Sequence, residues 1–175
     1  MKIEVPPEIA AYGITLLPAT DASVIKHAER IAGIDLAVVR NVLTFSVVLV
    51  NNGQNRILQT TVGFEFQDEK DQPHREIFNL TAFNRGLPGQ IPQGGARLIV
   101  PQRGLNVHFA GTEGGNVNAE SIRAYSDVIA KIETAFGQAK NLSAFIDSVT
   151  IEGVGLVGPD LVGVRGHGQD RKTMY

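Results

Sequence analysis

Residues 42–73 constrain the fold more than any other stretch, because they read as strand, turn, strand, turn. Residues 42–50 are apolar and β-branched, with Val42, Val47, Val48 and Val50 around Phe45 and Leu49. Such side chains suit a pleated, half-buried surface. Asn51, Asn52, Gly53 and Asn55 then form a turn cluster, made of residues that take turn conformations readily. A second strand follows at 57–66. There Val62, Phe64 and Phe66 share one face, while Glu65 and the following Gln67 turn away, because a strand alternates its side chains. Asp68, Asp71 and Pro73 close the unit. Two such strands about an Asn-Gly turn predict an antiparallel hairpin. The expected fold is therefore mainly β, an antiparallel β-sandwich.

The remaining segments fit that plan. A length of 175 residues suits one domain and can bury a core without disulfides or metals. Residues 1–20 hold Pro6, Pro7, Gly13 and Pro18 around Ile14 and Leu17 and read as an extended arm with one short strand. Residues 21–31 read either as a helix capped by Asp21, with Val24, Ala28 and Ile31 on one face, or as a bent edge strand. A third strand is expected at 74–83, a Gly/Pro loop at 84–95, short strands at 96–101 and 105–110, and a glycine linker at 111–116. At 118–136, Ile122, Tyr125, Ile129, Ile132 and Phe136 recur every three or four residues, which predicts an amphipathic helix stopped by Gly137. The even numbers of Ile122, Val128, Ile132 and Phe136 leave a strand open. The last strand is expected at 142–152. The domain spans 21–160, and 161–175 is a glycine-rich tail.

Composition removes several function classes. The net charge is -2 and no basic residues cluster, so nucleic acid is not an expected partner. No apolar run approaches the length of a membrane-spanning helix, so no membrane insertion is expected. The absence of cysteine rules out disulfides, thiolate nucleophiles and Cys-ligated zinc. Tryptophan is also absent, which argues against a sugar-stacking platform or an antibody-type core. The first residues lack the pattern of a signal peptide.

No constellation of residues has the spacing that chemistry requires. Gly153, Gly155 and Gly158 match a dinucleotide-binding glycine pattern after a strand, but Pro159 and Asp160 follow where a helix would have to open. A glycine-rich turn is the expectation. Asp68, Glu69 and Asp71 contain calcium-type oxygens, but Lys70 interrupts them and no later carboxylate completes a loop. His27, His74, His108 and His167 are too scattered to seed a metal site. No serine lies between glycines as a nucleophile elbow requires. Glu65 and Asp147 could pair only if strand register brings them together. Asn79 and Asn141 begin glycosylation sequons. The lysines sit at termini, in turns or on the expected helix, not where an isopeptide crosslink would need them. The chain is thus expected to have no catalytic, cofactor-binding or metal-binding residues and no cofactor.

Val47-Val-Leu-Val-Asn-Asn-Gly-Gln-Asn-Arg-Ile57, followed by Phe64-Glu-Phe-Gln-Asp-Glu69, resembles small exported bacterial immunoglobulin-like domains. Ile91-Pro-Gln-Gly-Gly95 is similar to the loop before a strand in the same domains. Phe145-Ile-Asp-Ser-Val-Thr-Ile-Glu-Gly-Val-Gly-Leu-Val-Gly-Pro-Asp160 is similar to a closing segment of uncharacterised acidobacterial-type proteins, with Glu152-Gly153 in place of Asp-Gly. The resemblance covers about 38–160 and does not include the helix at 118–136. It implies an immunoglobulin-like β-sandwich in a periplasmic or secreted setting, with no catalytic residues.

The function expected is a non-catalytic interaction or structural module. Its partner would be a protein, self or other, met through an exposed sheet edge or the 84–95 loop. A homo-oligomer is one form this could take, with the 1–20 arm or the 118–136 helix docked on a second copy. The alternative is a small-ligand-binding protein or hydrolase, with a pocket between sandwich and helix lined by His108, Asp147 and Glu65.

Overall fold

The computed structural model describes residues 1–23, 44–81, 90–99, 130, 133–134 and 136–161. They form a mainly β structure of two sheets. The chain begins with β1 (Lys2–Glu4), one helical turn α1 (Pro7–Ala10) and β2 (Ile14–Pro18). Pro7 opens α1, where a missing N–H goes unnoticed. Then come β3 (Val47–Asn51), β4 (Ile57–Gln67), β5 (Pro73–Thr81) and β6 (Ala96–Ile99). β7 (Lys140–Ile151) and β8 (Gly155–Val157) end the series. The larger sheet runs β1-β7-β4-β5, with β8 also on β7, and the smaller runs β2-β3-β6.

The Asn-Gly hairpin expected at 51–55 is not formed. β3 lies in the small sheet and β4 in the large one, so residues 52–56 carry the chain across the core. The strand also starts later than the sequence suggests, because Thr44 and Phe45 lie in a turn. Burial explains the placement. Val47, Val48 and Leu49 are consecutive and all fully buried, so β3 takes the middle of its sheet between β2 and β6. The true hairpin is one turn later, where β4 and β5 pair antiparallel from Gln67↔Pro73 to Gln59↔Thr81.

Residues 1–20 hold the one short strand expected there, as β2, and a further one, β1. β1 pairs parallel with β7, and β2 pairs antiparallel with β3, so this segment joins both sheets. β1 and β8 share one edge of β7, against Ser143–Phe145 and Val149–Ile151 respectively, because β4 occupies the other edge. The gap between these short strands falls at a register shift in β7, where Thr61 faces Ser148 and Val62 faces Ile146, leaving Asp147 extra. Such a bulge bends a strand and re-aims its side chains. Gly158 to Leu161 fill the gap: Asp160 N donates to Asp147 O at 3.3 Å, and Leu161 N to Asp147 Oδ1 at 2.8 Å.

The core lies between the sheets. Ile14, Leu16, Val47, Leu49, Val62, Phe64, Ile146 and Val149 are its centre, each contributing about 1.5–3 kcal/mol by leaving water. A second aromatic group seals one end. Phe136 is buried and packs on Phe66 at 4.9 Å and Phe45 at 6.2 Å between ring centroids. Of the helix expected at 118–136, Ala130, Glu133, Thr134 and Phe136 are helical, and Gly137 N donates back to Glu133 O at 2.7 Å. Residues 118–129, the helix-or-strand segment 24–31, the strand at 105–110, the linker at 111–116 and the tail beyond 161 lie outside the described residues. Among the described residues no helix is long and apolar enough to cross a membrane.

Candidate functional site

Three groups of polar residues stand out, and two are committed to holding backbone. The first is the β4–β5 turn. Asp68 Oδ1 accepts from Lys70 N at 2.8 Å and Gln72 N at 2.9 Å, while Oδ2 lies 2.9 Å from His74 Nε2. Asp71 takes a left-handed backbone (φ 58) and pairs with Lys140 Nζ at 2.8 Å. The His74 ring stacks on Phe66 with centroids 5.2 Å apart. The hydrogen bond from His74, then those from Gln72 and Lys70, hold the Asp68 carboxyl below its ordinary range. Thus Asp68 caps its own turn and Asp71 meets a lysine. Among the described residues no group of three or more His, Asp or Glu is placed to hold a metal ion.

The second group centres on Asn51, buried at the end of β3. Its Nδ2 donates to Asn55 O at 2.9 Å, Ile91 O at 3.0 Å and Pro92 O at 3.2 Å. Its Oδ1 accepts from Gly53 N at 3.1 Å. Its backbone adds Asn51 N to Gly95 O at 2.9 Å and Gly94 N to Asn51 O at 2.7 Å. One amide therefore clasps the crossing 52–56 and the described part of the Gly/Pro loop. Sequence reasoning read Asn51 only as a turn residue. The signal it missed is the apolar run ending at Asn51, which places that side chain at a buried position.

The third group is the outer face of the large sheet. There Phe145 lies across Gly63, whose Cβ would come 2.2 Å from the ring. Arg75 sits over the same ring, 5.6 Å from its centroid, and its Nε donates to Glu65 at 2.6 Å. Beside them Thr61 Oγ1 is buried with no hydrogen-bond partner.

Of the pocket residues weighed from sequence, the two that are described, Glu65 and Asp147, do not come together. Glu65 stands opposite Ser143, four residues from Asp147 along β7 or about 13 Å at strand rise. Glu65 is tied to Arg75 and Asp147 to Leu161. His27, His108 and His167 lie outside the described residues. The glycines at 153–158 form a turn and the short strand β8, with positive φ at Gly153, Gly155 and Gly158, and no helix opens there. The Asn79 sequon falls inside β5 and the Asn141 sequon inside β7, where the Asn141 amide donates to Gln67 Oε1 at 2.6 Å.

The sheet edges differ in chemistry. Along β5, at an edge of the large sheet among the described residues, His74, Arg75 and Glu76 follow one another. β2, one edge of the small sheet among the described residues, is Ile14-Thr-Leu-Leu-Pro18 with no charge along its length. Ile14 and Leu16 face the core, whereas Thr15 and Leu17 are half-buried. Among the described residues β2 has a partner strand on one side only, β3. No protein-family model, curated protein or solved structure matches this chain.

Proposed function

We propose that the chain is a non-catalytic interaction or structural module acting outside the cytoplasm, an immunoglobulin-like sandwich whose partner is a protein, a second copy included. The uncharged edge of β2 carries the reading. Sheet edges invite pairing with another chain, and proteins that avoid it place charge or a bulge there. β5 carries such charges and β2 does not. A partner strand laid along β2 would extend the small sheet, with main-chain hydrogen bonds supplying affinity. The two-sheet architecture and the resemblance at 47–57 and 64–69 support the immunoglobulin-like assignment. The extracytoplasmic setting rests on that same resemblance.

Leu17→Lys tests it. Leu17 is half-buried, so the charge blunts the edge at a cost of about 1 kcal/mol, the centre of the range for single substitutions. Sedimentation velocity over a concentration series reads self-association, and co-precipitation from an envelope extract reads other partners. We expect the variant to lose whatever association the parent shows. Association that survives Leu17→Lys unchanged removes β2 as the contact.

A further inference from the structure

Asn52–Gly53 is the single Asn-Gly step in the chain. We propose that Asn52 is a self-modification site, a succinimide-forming asparagine whose rate is governed by the neighbouring side chain of Asn51. In this reaction Gly53 N gives its proton to solvent base and attacks Cγ of Asn52. The new N–Cγ bond closes a five-membered ring, and the Cγ–Nδ2 bond breaks as the amide nitrogen leaves with a proton as ammonia. Water then opens the ring at one of its two carbonyls, giving aspartate or isoaspartate. Glycine at the following position leaves the attacking nitrogen without a Cβ to obstruct closure. Asn52 is exposed, so base and water reach it.

The fold holds this reaction back at one atom. Gly53 N donates to Asn51 Oδ1 at 3.1 Å, so the nucleophile must leave that oxygen before it can attack. The guard is itself fixed, because Asn51 is buried and its Nδ2 is spent on Asn55 O, Ile91 O and Pro92 O. Asn52 N is held as well, donating to Gly13 O at 2.9 Å.

The product would not fit the same place. A Cβ on Gly53 would lie 2.1 Å from Tyr12 O, and one on Gly13 would lie 2.9 Å from Gly53 N. Two backbones in such contact have no room for the extra methylene that isoaspartate inserts at residue 52. The contact with Gly13 opens, and Gly13 is the residue immediately before β2. Modification therefore loosens the entry to that strand whether or not β2 binds a partner.

The test is ageing in mildly alkaline buffer with peptide mass spectrometry for aspartate and isoaspartate at 52. The native chain, the same chain in denaturing urea and Asn51→Ala are compared. Deamidation at Asn52 is expected to precede that at any other asparagine. Loss of one hydrogen bond of about 1 kcal/mol corresponds to about fivefold in rate, so native ageing should be slower than ageing in urea by at least that factor. Asn51→Ala should recover most of the difference. A variant that fails to fold shows no cooperative unfolding, and the native-to-urea ratio then decides alone. Equal rates in native buffer and urea, an unaltered rate in a folded Asn51→Ala chain, or another asparagine reacting first would each overturn the proposal.

Discussion

Thr61 and Asp68 sit on the same strand and its turn, and they meet opposite fates. Thr61 buries a hydroxyl that finds no partner, a desolvation that costs about 1–3 kcal/mol when uncompensated. Thr61→Val keeps the shape and removes the hydroxyl, so we expect it to raise unfolding stability by about 1 kcal/mol in urea titrations. A loss of stability instead would mean that the hydroxyl is engaged by water or a bound molecule. Asp68 is fully engaged. Its carboxyl is held low by His74 and by the amides of Gln72 and Lys70. A carboxyl lowered on folding stabilises the fold above its unfolded value near 3.9, and that contribution disappears as pH falls through the lower folded value. Asp68→Asn should therefore lower stability at neutral pH and leave it close to the parent's in acid, so that the acid limb is flatter. A variant whose acid limb matches the parent's would show the turn plays no part in acid unfolding. The Asp68 turn was legible from sequence because Asp, Lys and Gln in that order make a local Asx turn. Asn51 was not, because its partners Ile91 and Pro92 are about forty residues away.

At the scale of elements, β4 and β7 depend on a glycine. Gly63 has no side chain, and the Phe145 ring from β7 covers it, with Arg75 of β5 stacked above. An aromatic laid over a glycine on the next strand restores packing that the glycine gives up. Gly63→Ala would place a methyl inside that ring's position. Phe145 must then move and Arg75 with it, and overpacking of this kind costs about 1–3 kcal/mol. Chemical denaturation should show it as a lower midpoint with an unchanged slope. A midpoint equal to the parent's would mean the ring swings aside freely. The strands at 57–66 and 142–152 were legible because their alternation is local. The hairpin expected between β3 and β4 was not, because turn chemistry names a bend and leaves open which sheet the chain enters next. Burial of Val47, Val48 and Leu49 in succession decides that, and it is a tertiary fact.

For the whole molecule, the mainly β class was readable from strand spacing, while the weaving of residues 1–20 into both sheets was not. Three residues in β1 carry too little pattern to mark a strand, and their partner is at the far end of the sequence. Ile3 lies beside Ala144, and β8 takes the neighbouring stretch of the same strand edge. That parallel pairing sets an order of events on the ribosome. At about 5–20 residues per second, β1 must wait on the order of ten seconds for β7 to emerge. Throughout that interval β7's place beside β4 is empty, so the large sheet has no centre. The nascent chain is thus a half-built layer, and closure of the large sheet by β1, β7 and β8 becomes its final step.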